Sequence, residues 1–231
     1  MVPELIRTAR FADEAAAFIL AAAREAITAR SIFRLALAGG QTPRLVHAAL
    51  AQAAGAEFPW DHVQITFGDE RCVPPGDPES NYRMAKESLF DVVPIPAGNI
   101  FRIRGEIDPE TAAREYEEKL AKVAARFGEA RYVHDLILLG MGPDGHTASL
   151  FPGEPSLAEA VRNVIPARGP KPPPQRVTMT FPLLNAARKV CFLVNDTARL
   201  PLVEQILAGD RTLPAGMVRP VAGTVTWIVG G

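Results

Sequence analysis

LALAGGQTPRLVHAAL, residues 35–50, decides the fold: an apolar run, the pair Gly39-Gly40, then Thr42-Pro43 leading into a helical pattern. Two glycines let a backbone turn tightly. Thr42 is suited to cap the helix, and Pro43 to take its first position, where the missing N–H costs nothing. A strand passing through such a turn into a helix is the repeating unit of an α/β sheet. Outward from it, short β-rich runs occur at 32–38, 63–67, 135–140, 176–181, 190–194 and 224–229. Helical patterns lie between them near 11–29, 43–54, 81–90, 109–127 and 197–208. The alternation predicts an α/β fold of three layers, Rossmann-like, with a mostly parallel sheet and helices on both faces.

The 231 residues are 48% apolar, enough for a substantial core. Twenty-five basic against 26 acidic residues, a net charge of -1, offer no attraction for nucleic acid or an anionic membrane. Cys72 and Cys191 stand alone, without a CxxC pair or a Cys/His cluster, so no disulfide framework and no metal site are expected. That usage fits a reducing cytoplasm. The most apolar early stretch, 15–23, is nine residues, against about 20 needed to cross a bilayer. It reads as a buried helix face.

The Gly-Gly-Gln-Thr turn, Gly39 to Thr42, places free N–H groups and a hydroxyl at a helix N-terminus, a setting that suits phosphate. It lacks the Lys-Ser/Thr ending of a P-loop, so a nucleoside triphosphate is not indicated, and ordinary strand-to-helix punctuation has the same look. Asp69, Glu70 and Arg71 fall just past a β run, at the edge where open α/β sheets bind ligands. They make either a surface ion cluster or the wall of a polar pocket. In VPPGDPESNY, turn residues throughout, Ser80 or Asn81 caps the next helix.

GMGPDGHTASLFPG, residues 140–153, contains Gly-x-Gly-x-x-Gly. A dinucleotide fingerprint needs an acid about 20 positions on for the ribose, and residues 163–167 read Asn-Val-Ile-Pro-Ala. The stretch instead presents Asp144-Gly145-His146 at a strand's end. Imidazole exchanges protons near neutral pH and a neighbouring carboxylate can fix its tautomer, which makes His146 a candidate general base. His47, His62 and His134 lack such a setting and read as structural. The segment 166–175, with five prolines in ten residues, excludes helix and central strand and is expected to be a stiff exposed loop. Lys171 within it and Arg176 after it either sit on a plain connector or face a ligand.

Together these stretches resemble the 6-phosphogluconolactonase members of the glucosamine-6-phosphate isomerase/6-phosphogluconolactonase family, over nearly the whole chain. GGQTP resembles the family's Gly-Gly-(Ser/Thr)-Thr-Pro turn, and GDERCVP with SNY resembles its Asp-Glu-Arg-x-Val-Pro and Ser-Asn pair. GMGPDGHTASLFPG is close to letter-perfect, and KPPPQRVTMTF resembles its Pro-Pro-x-Arg-x-Thr segment. The related deaminases continue Gly-His-Ile-Ala-Phe-Asn-Glu, whereas the position of that glutamate is Phe151 here. Where the family has Gly-x-x-Lys before its late helix, this chain reads NDTAR, which puts the role of Arg199 in question.

The resemblance implies one domain over 1–231 and hydrolysis of 6-phospho-D-glucono-1,5-lactone without cofactor or metal. His146, oriented by Asp144, would activate water, and Arg71 with backbone N–H groups would stabilise the oxyanion. Asp69 would hold sugar hydroxyls or Arg71. The phosphate would sit on Gly39, Gly40, Gln41 and Thr42 with Arg176, and with Lys171 or Arg199. The partner is then a small sugar-phosphate lactone, and a monomer is expected. A deaminase-like isomerase and a non-catalytic sugar-phosphate sensor are the alternatives; the second would lack the histidine and carry an added DNA-binding segment.

Overall fold

The computed structural model describes residues 3–231. Among these residues nine strands are present: β1 (Glu4–Thr8), β2 (Phe33–Leu37), β3 (Val63–Phe67), β4 (Asp69–Arg71), β5 (Leu136–Gly140), β6 (Val164–Arg168), β7 (Gln175–Met179), β8 (Lys189–Val194) and β9 (Thr224–Gly230). The helices are α1 (Phe11–Arg30), α2 (Gln41–Ala54), α3 (Asn81–Ala85), α4 (Pro109–Arg126), α5 (Phe181–Leu184), α6 (Leu200–Leu207) and α7 (Pro214–Met217). Six strands form one sheet in the order β1-β9-β8-β5-β2-β3, every pairing parallel. β2 and β3 are buried at every position, as strands covered on both faces must be.

The strand order fixes where the helices go. From β2 through α2 the chain moves outward to β3, and from β8 through α6 it moves the opposite way to β9. Right-handed crossovers therefore place α2 and α6 on opposite faces. α1, whose crossover runs in the same sense as that of α2, packs against it. The direction of winding reverses between β2 and β5, which are hydrogen-bonded neighbours. A crevice opens beyond the carboxyl ends of strands at such a point. The two glycine-rich turns, after β2 and after β5, both lie at that edge.

Several expectations are corrected. Residues 176–181 do not join the parallel sheet: β7 is the middle strand of a separate antiparallel sheet ordered β4-β7-β6, and Phe181 already begins α5. The proline-rich loop is shorter than expected, because 166–168 belong to β6. Pro166 is tolerated there since β6 is an edge strand. The helix over 197–208 divides into a 3-10 turn at Thr197–Arg199 and α6, and 81–90 into α3 followed by a π turn at Lys86–Phe90. Thr42 does not cap α2: the helix starts at Gln41 behind Gly40, whose φ of 102° is open to glycine, and no side chain caps it. Pro43 sits in the first turn all the same. The Ser80 cap is as read, with Ser80 Oγ accepting from Arg83 N. Among the described residues no helix is long and apolar enough to cross a membrane.

His47 and His134 are fully buried. The first shares a hydrogen bond with Ser88 Oγ at 3.2 Å and the second with Thr66 Oγ at 2.9 Å. Burial pushes their pKa values down to about 4 and about 3. His62 lies at the surface against Ser31 O. Cys72 and Cys191 are unpaired thiols.

Candidate active site

A cavity of about 410 Å³ lies at the switch point, lined by Gly39, Gly40, Gln41 and Thr42 from the first turn, by Asp69 and Arg71 from β4, and by His146 and Arg199. Residues more than a hundred positions apart thus meet because β2 and β5 are neighbours. Asn81 and Gly142 also line it. The structure does not bring Arg176 or Lys171 to the wall. Among the described residues no group of three or more His, Cys, Asp or Glu side chains is placed to hold a metal ion.

The segment after β5 builds the cradle of His146. Gly145 takes φ 78° and returns the chain, with Gly145 N donating to Gly142 O at 3.0 Å and Gly142 N to His146 O at 2.9 Å. Thr147 Oγ ties the far side to Gly140 O at 2.8 Å. The imidazole then lies so close to Gly142 that a Cβ there would stand 2.1 Å from its Nδ1. Only glycine leaves that space.

Nδ1 of His146 lies 2.5 Å from Asp144 Oδ1, and the same oxygen accepts from the His146 amide at 3.2 Å. A carboxylate accepts, so Nδ1 carries the proton and the Nε2 lone pair is free. Partial burial works to raise the Asp144 pKa, but the hydrogen bonds from His146 outweigh it and hold the carboxyl below its ordinary value. The ring also packs on Phe151, with centroids 4.4 Å apart and planes tilted by 38°. An apolar ring thus stands where a third polar group would otherwise complete the set.

β4 alternates as a strand must. Asp69 and Arg71 reach the cavity, while Glu70, 2% exposed, turns the other way and receives Arg71 N, Asn81 N and Tyr82 N at 2.7, 2.7 and 2.8 Å, and Ser80 Oγ at 3.1 Å. Burial raises the Glu70 pKa and those amides pull against it. Asp69 does not pair with Arg71. Its Oδ2 accepts from Ser149 Oγ at 2.6 Å, and its Oδ1 and backbone O accept from Asn81 Nδ2 at 3.3 and 2.9 Å. Arg71 is steadied by Nη1 on Glu79 O at 2.6 Å.

Arg176 stands directly across the β4–β7 ladder from Arg71. Burial and then the Arg71 charge push its pKa down. Its Nε is buried with no protein partner. Lys171 is exposed on the loop between β6 and β7. Arg199 lines the cavity and its Nη1 donates to Met141 O at 2.5 Å, so it braces the second glycine turn.

Sequence reading missed Asn81 as a cavity residue, since a polar residue beside a helix start has a capping explanation already. It also missed that Glu70 turns away from the cavity. Strand alternation across Asp69-Glu70-Arg71 was the available signal.

The family model described as glucosamine-6-phosphate isomerases/6-phosphogluconolactonase matches residues 7–227. The 6-phosphogluconolactonase of Homo sapiens is 39% identical over 206 residues, covering 87% of this chain and 79% of its own. That of Haemophilus influenzae is 37% identical over 197 residues, covering 84% and 82%. A crystal structure of 6-phosphogluconolactonase from Thermotoga maritima superposes with a TM-score of 0.87 at 30% identity, over 99% of this chain and all of that one. With the family model spanning both glycine turns and the β4 segment that wall the cavity, the chain belongs to the glucosamine-6-phosphate isomerase/6-phosphogluconolactonase family.

Proposed function

We propose that this chain hydrolyses 6-phospho-D-glucono-1,5-lactone to 6-phospho-D-gluconate, the lactone-opening step of the oxidative pentose phosphate pathway. The observation that carries this reading is the His146 imidazole, held at Nδ1 by Asp144 and packed against Phe151. That is a base with a fixed tautomer and no third carboxylate. A deaminase-like isomerase of this family would need an acid where Phe151 packs. A sensor would have no use for the oriented pair.

Nε2 takes a proton from water as its oxygen attacks the lactone carbonyl carbon, and Asp144 stabilises the imidazolium that results. The carbonyl electrons move to oxygen, where Arg71 and nearby backbone N–H groups meet the charge. Collapse re-forms the carbonyl and breaks the bond to the ring oxygen, which takes the proton from Nε2. No covalent intermediate is involved, and no cofactor is assigned.

The phosphate is seated on Gly39, Gly40, Gln41 and Thr42, where the free amides and dipole of α2 favour an anion, with Arg199 on the same wall. Arg176, beside Arg71 across the β4–β7 ladder, adds to the positive field, and Lys171 stays on the exposed β6–β7 loop outside the cavity lining. Asp69 holds sugar hydroxyls. The net charge of -1 offers no overall attraction for nucleic acid, and a cytoplasmic monomer belongs to the same reading.

The test follows freshly made lactone by phosphorus NMR with buffer, wild type and His146→Ala, because the lactone also opens unaided. Acceleration by wild type that disappears in the variant is the expected result. Acceleration that survives removes His146 as the base. Wild type equal to buffer removes the lactonase, and glucosamine 6-phosphate becomes the next substrate to try.

A further inference from the structure

We propose that Asn81 is a positioning residue of this site, the side chain that bridges the Asp69 carboxylate and the Gly39–Thr42 turn, with Glu70 as the anchor that holds it. The kinetic part of the proposal rests on the lactonase reading; the geometric part does not.

Asn81 is 2% exposed and touches both halves of the cavity. Its Nδ2 donates to the backbone oxygen and Oδ1 of Asp69. Its Oδ1 presses on the first turn so closely that a Cβ on Gly39 would stand 1.9 Å from it. Asp69 and the turn make no hydrogen bond to each other. The backbone is tied nearby by Gly68 N donating to Leu37 O at 3.0 Å, and the amide wedged between the two sites bridges them at the level of the side chains. The backbone of that amide is fixed in turn, because Glu70 receives the N–H groups of both Asn81 and Tyr82 and the hydroxyl of Ser80. Strand alternation thus gives one segment two duties: residues 69 and 71 face substrate, and residue 70 clamps the helix start that carries Asn81.

A neutral amide suits the place, since it donates to Asp69 without adding charge. A carboxyl at 81 can do so only when protonated, and two carboxyls at that distance share one proton. The ionisable groups around the position are Asp69 and Glu70 from β4, with Arg71 and His146 on the cavity wall.

Wild type, Asn81→Ala and Asn81→Asp are compared by the pH dependence of kcat and KM on the lactone. Asn81→Ala is expected to lower kcat about 10-fold with KM changed less than about threefold. Asn81→Asp is expected to lose more at alkaline pH and to recover as the pH falls, a limb absent from the alanine variant. Glu70→Gln is expected to reproduce the kcat loss and to add little on top of Asn81→Ala. Profiles of wild-type shape with kcat within about twofold would overturn the proposal.

A second cycle needs no turnover. Gly39→Ala drives its methyl into Asn81, so its effects on Tm and on the Kd for 6-phosphogluconate should shrink by more than half in the Asn81→Ala background. Additive effects overturn the proposal. If wild type does not open the lactone, the lactonase reading falls and this cycle alone decides the placement of Asn81.

Discussion

The His146–Asp144 contact has its energetic meaning in the imidazolium that forms during turnover. Replacing Asp144 by Asn keeps size and shape but removes the charge that stabilises the protonated ring. A kcat loss of about 100-fold with KM nearly unchanged is expected from steady-state kinetics, and a loss under about fivefold would take Asp144 out of the mechanism. This pair was legible in the sequence, because both partners sit in one local turn two residues apart. Asn81 was not, because its partners Asp69 and Gly39 are brought to it by two other strands. Arg176 shows the limit in the other direction: its residue type and motif suggest a phosphate contact, while the fold sets it beside Arg71 across the β4–β7 ladder and outside the cavity lining.

At the scale of elements, the strands of the parallel sheet other than β1 were legible because burial on both faces leaves continuous apolar runs; β1, an edge strand with no buried position, has no such run. The antiparallel sheet was legible only in part. Period-2 alternation at 176–181 signals a strand but not its partner, and β4 is three residues of charge that no pattern of hydrophobicity marks. What fixes β4 is its neighbourhood: Met179 N donates to Gly68 O, and Glu70 reaches the start of α3. Ser80 joins that arrangement twice, accepting from Arg83 N at 3.2 Å and donating to Glu70 at 3.1 Å. Loss of an N-cap costs about 1 kcal/mol, and a buried acceptor left with one donor fewer adds to it. Ser80→Ala should therefore lower the unfolding free energy by about 1–2 kcal/mol in urea titrations. A change below about 0.3 kcal/mol would mean that α3 is held by its packing and owes nothing to the cap.

For the molecule as a whole, the two buried histidines tie stability to pH. His47 on the buried face of α2 and His134 beside Thr66 are both held neutral by burial, with pKa values of about 4 and about 3 in the fold. In the unfolded chain each titrates near 6.5. Between those values the unfolded chain binds protons that the folded one refuses, so stability rises with pH across the window and falls on acidification. From pH 7 to pH 5 each ring should cost about 2 kcal/mol, and the two together about 4 kcal/mol. Carboxylates act lower down. Glu106, held by Arg102 at a pKa of about 2, lends stability that is lost only as the pH falls below its unfolded value of 4.5, and its half-solvated setting limits that to about 1 kcal/mol or less. Glu70, raised by burial, acts the other way and offsets part of the loss, so the histidine share is read from the difference between wild type and a histidine variant. Urea unfolding at the two pH values should show a loss in wild type that is smaller by about 2 kcal/mol in His134→Gln, which keeps an amide donor for Thr66. A wild-type stability that stays flat from pH 7 to pH 5 would mean that both rings reach water in the folded state.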